Sequence, residues 1–296
     1  MRRLSSEAFI DILPMMKAMM IRIPVIPTVT ASITSPPIPV SCQRFMNPPV
    51  WDKIKPRVVI ERSVRVEQLN ADGWAMTYLL VCKSTGKAAL IDPVWDNLSS
   101  YETALEGLEL VYSIATHTHA DHITGCFSLV DKGCEYVMHK DSPCLGVTRH
   151  VADGDTIQLG ELEISFHHVP GHTADSLIVE VTGHIFTGDF LFTGGGGVGR
   201  DDLPGGRIDE HWDSLAVLRR FSGDVLVCSG HDPPGTQMQS LAWNRENNPI
   251  LSMTFPEHYR QWQETTTAGL GSVSKIKTAL PANIFAEIPE HVPWLD

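Results

Sequence analysis

Three imidazoles and a carboxylate fall within six residues of this chain, and any fold it adopts has to accommodate them. Thr116-His117-Thr118-His119-Ala120-Asp121-His122 follows directly on Leu110 to Ala115, a stretch apolar enough for a buried strand. Residues two apart in an extended segment point to the same side, so His117 and His119 can face one point as the strand ends. His122 lies three residues beyond His119 and returns to that point if a helix begins near Asp121. Asp121 adds an oxygen ligand or a proton acceptor. Crowding these groups without a cation is costly, because protonated imidazoles repel one another. Neutral imidazole is also the commonest protein metal ligand. A polar loop of hydrogen-bonded histidines would explain one such residue better than it explains the whole cluster.

Three further sites supply ligand types at strand ends beside glycine, where a rigid element can hold a side chain in place. Pro170-Gly171-His172-Thr173 puts a histidine in a tight turn between strands. Thr187-Gly188-Asp189-Phe190 puts a carboxylate past a short apolar strand, and Ser229-Gly230-His231-Asp232 puts a histidine after another. With the cluster they form a set of seven candidate ligands: His117, His119, Asp121, His122, His172, Asp189 and His231.

The elements around these sites alternate. Val58, Ile60 and Val64 open a strand-rich region, and Tyr78 to Cys82 pairs with Ala88 to Ile91 around Ser84-Thr85-Gly86. Asp92-Pro93 ends that pair. Leu98 to Leu108 has helical spacing. Strands are expected at Thr156 to Leu159, Leu162 to His168, Ser176 to Glu180, His184 to Thr187 and Val225 to Ser229. Helices are expected at Asp209 to Arg220 and Met238 to Asn247. Interleaving of this kind predicts helices layered on sheet.

Composition narrows the function classes. A formal net charge of −12 argues against a general nucleic-acid binder. The six cysteines (42, 82, 126, 134, 144 and 228) contain no Cys-x-x-Cys spacing and suit idle thiols in a reducing compartment. Met15 to Ile26 is interrupted by Lys17, Arg22 and Pro24, so a membrane span is not expected. Residues 1–50 read as an N-terminal extension and 51–296 as the catalytic domain. The extension carries Arg2, Arg3, Lys17, Arg22 and Arg44 against Glu7 and Asp11, a bias shared by organellar transit peptides and by some disordered tails. The expected location is mitochondrial or cytoplasmic.

The ordered combination H-x-H-x-D-H, Gly-His, Gly-Asp and a final His resembles the metallo-β-lactamase superfamily over residues 58 to 281. That resemblance implies an αββα sandwich with the metal site at one edge of its two sheets. It implies a first metal site of His117, His119, His172 and Asp189, and a second of Asp121, His122 and His231 with Asp189 bridging. Within the superfamily the chain is most similar to the glutathione-persulfide dioxygenases. The similarity rests on Thr116 to Gly125, Val169 to Leu177, Gly199-Arg200-Asp201-Asp202 and Leu280-Pro281-Ala282-Asn283.

That family implies one Fe(II) per chain on His117, His172 and Asp189, a facial triad with open positions. The implied reaction oxidises glutathione persulfide with O₂ to glutathione and sulfite. Arg200 is the candidate for the glutathione carboxylate, with Asp202 beside it in the substrate-binding segment. An ion pair of Arg200 with Asp201 or Asp202 is the alternative use of that side chain. The sequence departs from the family at Pro233, where a tyrosine is usual, at Asp201, which replaces threonine, and at Leu203-Pro204-Gly205-Gly206. Pro233 removes one expected glutathione contact, and Asp201 adds negative charge near the proposed anion site. The run Gly194 to Gly197 reads as a flexible loop.

A second enzyme class uses the same residues. Two Zn(II) ions per chain, ~3.5–4 Å apart, would serve a hydrolase resembling glyoxalase II or a lactonase. Asp121 would then help position the nucleophile. A flavodiiron protein would want glutamate at position 119, and a non-catalytic metal-binding scaffold predicts substituted ligands, of which none is visible. His139, His150, His167 and His168 could line the cavity, although hydrogen-bonded histidines are commoner. Trp243, Trp262 and Trp294 read as packing or interface residues, compatible with a homodimer.

Overall fold

The computed structural model describes residues 63–70 and 73–295. Residues 1–50, together with Val58, Ile60 and Cys42, lie outside the described residues.

Two six-stranded sheets form the centre. The first contains β1 (Val64–Gln68), β2 (Tyr78–Cys82), β3 (Lys87–Ile91), β4 (Glu109–Ile114), β5 (Glu135–His139) and β6 (Arg149–Val151), in that order. Its first three strands are antiparallel and its last three follow β3 in parallel. The second contains β7 (Thr156–Leu159), β8 (Leu162–His168), β9 (Leu177–Val181), β10 (His184–Gly188), β11 (Leu226–Ser229) and β12 (Gln239–Ser240), again neighbour to neighbour. Only β10 and β11 run parallel there.

Strand alternation explains the layers. On β2, Tyr78, Leu80 and Cys82 face Ile164, Phe166 and Val179 of the opposite sheet, while Leu79 and Val81 face outward. The outward residues meet Tyr101 of α1 (Leu98–Ala104) and Leu129 of α2 (Cys126–Leu129), so this strand is buried on both faces. On β9, Leu177, Val179 and Val181 join the central core, and Ile178 faces outward. Ile178 packs in a second cluster with Val217, Leu218, Leu241 and Tyr259. That outer layer is built from α3 (Ile208–Ser214) and its 3₁₀ continuation Leu215–Arg220, α4 (Leu241–Asn247) and α5 (Pro256–Leu270). Helix, sheet, sheet, helix is the layering expected from the sequence.

Several boundaries shift for physical reasons. The helix at Leu98 stops at Ala104, ahead of Gly107, which sits at φ +74°. The segment from Asp209 tightens into 3₁₀ after Ser214. Met238 is not helical: Gln239–Ser240 adds an edge strand to β11, and Ser240 then caps α4 by accepting from Trp243 N at 3.1 Å. No helix begins near Asp121; the chain bends through the cluster, and α2 starts at Cys126. The run Gly194 to Gly197 is a packed turn. Gly194 N donates to Asn244 Oδ1 at 2.8 Å, and a Cβ on Gly194 or Gly197 would lie 2.8 or 2.5 Å from Trp243 or Trp262. Both glycines hold positive φ, so the turn requires glycine twice over.

The described cysteines, 82, 126, 134, 144 and 228, are all buried and unpaired. Among the described residues no helix is long and apolar enough to cross a membrane.

Candidate metal centre

The sequence-predicted ligands converge at one edge of the sandwich. His117, His119, Asp121 and His122 follow the end of β4, and Asp189 and His231 follow the ends of the parallel strands β10 and β11. His172 sits in the β8–β9 turn. The carboxyl ends of parallel strands are where open α/β sheets place their ligands.

The ring centroids of His117 and His119 are 4.2 Å apart, those of His119 and His122 4.3 Å, and those of His117 and His172 4.9 Å. Two groups can each offer three ligand atoms within 4.8 Å of one another: His117, His172 and Asp189, and His119, Asp121 and His122. By this distance grouping His119 falls with Asp121 and His122, while its ring is equally near His117, its partner in the first site expected from the sequence. The histidines are buried, and His117 Nε2, His119 Nδ1 and His122 Nε2 have no hydrogen-bond partner. An unpartnered polar atom in a buried site carries a desolvation cost of about 1–3 kcal/mol. Three of them on neighbouring rings are accounted for by a cation, and the donor set of imidazole nitrogen and carboxylate oxygen suits iron or zinc.

The other nitrogen of each ring shows how the sequence sets its direction. His117 Nδ1 donates to Thr116 Oγ1 at 3.0 Å, and that hydroxyl donates in turn to Asp92 Oδ2 at 2.8 Å. His119 Nε2 lies 3.2 Å from Asp92 Oδ1, which also accepts from Thr116 N at 2.7 Å. His172 Nδ1 donates to the Arg200 carbonyl at 2.6 Å, leaving Nε2 3.6 Å from Asp189 Oδ2. His231 bridges the two groups, with Nδ1 2.7 Å from Asp189 Oδ1 and Nε2 2.9 Å from Asp121 Oδ2. Such outer contacts fix tautomer and ring orientation.

Electrostatics separate the rings. Burial pushes His117 well below the ordinary imidazole value, with His119 and His172 adding repulsion. Burial likewise lowers His122, against the pull of Asp121. For His119 and His231 burial also opposes the charge, but neighbouring carboxylates outweigh it and raise both, Asp92 leading for His119 and Asp189 for His231. Asp189 and Asp121 are held below the usual carboxylate range, because nearby histidines overcome the desolvation that would raise them.

Three residues essential to this geometry were not singled out as site residues. Asp92 was read as the end of a strand pair; it is buried at φ +49° and organises Thr116 and His119. Asp175 accepts from Thr118 Oγ1 and Thr173 Oγ1, both at 2.6 Å, and so ties the cluster to the His172 turn. Asn283, in α6 (Ile276–Phe285), donates to the carbonyls of His119 and His122 at 2.9 Å and accepts from Thr124 N at 2.8 Å. Only the resemblance of residues 169–177 and 280–283 to a known family pointed towards the last two.

Arg200 is committed within the molecule. Its Nε and Nη2 each donate to Asp202 at 2.6 Å, and Nη1 donates to the Gly271 carbonyl at 2.7 Å. Asp201 turns inward and is buried, so its charge does not reach the surface beside Arg200. His139 and His168 stack 3.8 Å apart, and His167 pairs with Glu180 at 2.9 Å. None of these histidines joins either ligand group.

Known proteins share this fold. The pattern of the metallo-beta-lactamase superfamily matches residues 74–133 and 141–231, and the chain belongs to that superfamily. It is 31% identical over 215 residues to the mitochondrial persulfide dioxygenase ETHE1 of Bos taurus, covering 70% of this chain and 82% of that protein. A hydroxyacylglutathione hydrolase of Xanthomonas campestris pv. campestris (strain B100) is 34% identical over 149 residues, 50% of this chain and 57% of that protein. The crystal structure of ETHE1 from Myxococcus xanthus superposes with a TM-score of 0.70 at 30% identity, covering 75% of this chain and 99% of that one.

Proposed function

We propose that this protein is an iron-dependent persulfide dioxygenase acting on a glutathione-linked persulfide. The observation that carries the proposal is the group His117, His172 and Asp189, two imidazoles and one carboxylate whose ligand atoms lie within 4.8 Å of one another, with His117 Nε2 buried and unpartnered. Two histidines and a carboxylate on one face leave the remaining positions of an Fe(II) open. The relatives support the substrate class: one is a persulfide dioxygenase and another hydrolyses a hydroxyacylglutathione.

When bound, iron supplies the redox chemistry that joins O₂ to the outer persulfide sulfur. One persulfide, O₂ and water give one thiol, one sulfite and two protons. His117, His172 and Asp189 would hold the metal, and the His231 ring, with Nδ1 2.7 Å from Asp189 Oδ1, keeps that carboxylate oriented. Asp121 is half-buried with His231 and His122 against it, and its carboxylate would accept a hydrogen bond from an incoming thiol or water. Arg200 would take the substrate carboxylate only by exchanging it for Asp202. The mitochondrial location of the ETHE1 relatives, together with the basic residues 1–50, supports import into that organelle.

The group His119, Asp121 and His122 favours a second reading, a dinuclear zinc hydrolase of glutathione thioesters. One experiment separates the two. The purified protein is analysed for bound metal, then given glutathione persulfide with an oxygen electrode, or a glutathione thioester with a thiol-release assay. The proposal expects about one iron per chain and O₂ uptake with sulfite formed. Two zinc ions with thioester cleavage and no O₂ uptake would replace it with the second reading.

A further inference from the structure

Behind the His172 side of the centre lies a buried polar group that touches no ligand atom. His211 of α3 is fully buried, and each of its ring nitrogens faces an acceptor. Nδ1 is 2.7 Å from Asp201 Oδ1, and Nε2 is 2.9 Å from the Phe190 carbonyl. The ring is therefore a two-pronged donor. Asp201 Oδ2 accepts from Tyr259 Oη at 2.7 Å and from Gln263 Nε2 at 2.9 Å, both on the inner stripe of α5. Gln263 Nε2 also reaches the Gly199 carbonyl at 2.9 Å.

The backbone atoms held in this way adjoin the candidate ligands. Phe190 follows Asp189. Arg200, whose carbonyl receives His172 Nδ1, lies between Gly199 and Asp201. His211 also packs directly on the His172 turn: a Cβ built on Gly171 would stand 2.3 Å from His211 Cβ. Two more bonds clamp that turn to α3, from Arg207 N to the Gly171 carbonyl at 2.7 Å and from Ser214 Oγ to the Pro170 carbonyl at 2.8 Å.

We propose that the buried Asp201–His211 pair is a positioning unit for the first metal site, fixing the Arg200 carbonyl against His172 and the Phe190 backbone beside Asp189. It rests on the metal-binding reading above and extends it to residues that contact neither metal nor substrate. The pair holds in register two chain segments that carry ligands from different strands. Loosening it lets His172 Nε2 swing away from Asp189 while every ligand remains present.

The test uses the full chain and reads metal affinity. Dissociation constants for Zn(II) and Fe(II) are measured by chelator competition, the visible spectrum of the Co(II)-loaded protein reports ligand geometry, and the metal-free melting temperature reports stability. Asp201→Thr/His211→Phe removes both charged partners together, so no buried charge is left unpaired. It should weaken first-site affinity about 10- to 100-fold and alter the Co(II) spectrum. His211→Gln keeps an amide donor for one acceptor and should fall between the double variant and the wild type. Affinities within about twofold of wild type in both variants, with an unchanged Co(II) spectrum, would overturn the proposal even if melting temperature drops. If the double variant does not fold, His211→Gln alone decides. Wild-type protein that binds none of the three metals would instead refute the metal reading, and this proposal with it.

Discussion

The two candidate ligand groups are built in opposite ways. His119, Asp121 and His122 come from a single bend of four residues after β4. His117, His172 and Asp189 come from three separate stretches of the chain, and meet only because β4, the β8–β9 turn and β10 end at the same edge. The local group depends on the conformation of one loop. The assembled group depends on the registry of both sheets and on the contacts behind them. Chemistry that needs a fixed, open coordination sphere belongs on the assembled group, where rigid elements set the geometry.

The largest effect should come from removing one ligand of each group. His172→Ala is expected to abolish first-site metal retention and turnover, measured by metal analysis and O₂ uptake. His122→Ala should keep that metal and reduce turnover by no more than about tenfold. Equal, complete loss in both variants would mean that the two groups act as one dinuclear unit.

Next in size, Asn283→Ala leaves the His119 and His122 carbonyls and Thr124 N without their buried partner, at about 3 kcal/mol in total. Thermal unfolding of the metal-free protein reads that loss. A drop in second-group metal affinity larger than any drop at the first would show that the local group relies on this prop.

Metal removal follows. At a free metal concentration ~100 times the dissociation constant, loading should stabilise the fold by ~2.7 kcal/mol, and chelation should reverse it. A melting temperature indifferent to chelator would place the ligands together without a metal to share.

The smallest effect concerns Arg200. Arg200→Ala should raise KM about tenfold with kcat nearly unchanged if the side chain leaves Asp202 for the substrate carboxylate. It should change stability by about 1 kcal/mol, because the Asp202 half of the pair is exposed to solvent and contributes little. An unchanged KM assigns Arg200 to the Asp202 and Gly271 contacts alone.

The same contrast governs what the sequence disclosed. The local group was legible from spacing, since His119, Asp121 and His122 are neighbours in the chain, as is His117 of the assembled group. Most strands were legible too, because apolar alternation and glycine punctuation fall where β7, β8 and β10 begin and end. β5 and β6 passed unnoticed among mixed polar residues. α5 was missed because its inner stripe is Tyr259 and Gln263, and Thr265, Thr266 and Thr267 lower its intrinsic helix preference. α6 carries Pro281 inside it. Asp92, Asp201 and His211 were illegible as site residues for a different reason. Each acts on partners 10 or more positions away, and only the folded chain brings them to within hydrogen-bond range.

Asn283 has one further consequence, for synthesis. It reaches back about 160 positions to fasten the bend carrying His119 and His122. Until α6 has left the ribosome and packed, that bend lacks three hydrogen bonds. The second candidate group therefore takes its final shape well after its own residues have been synthesised.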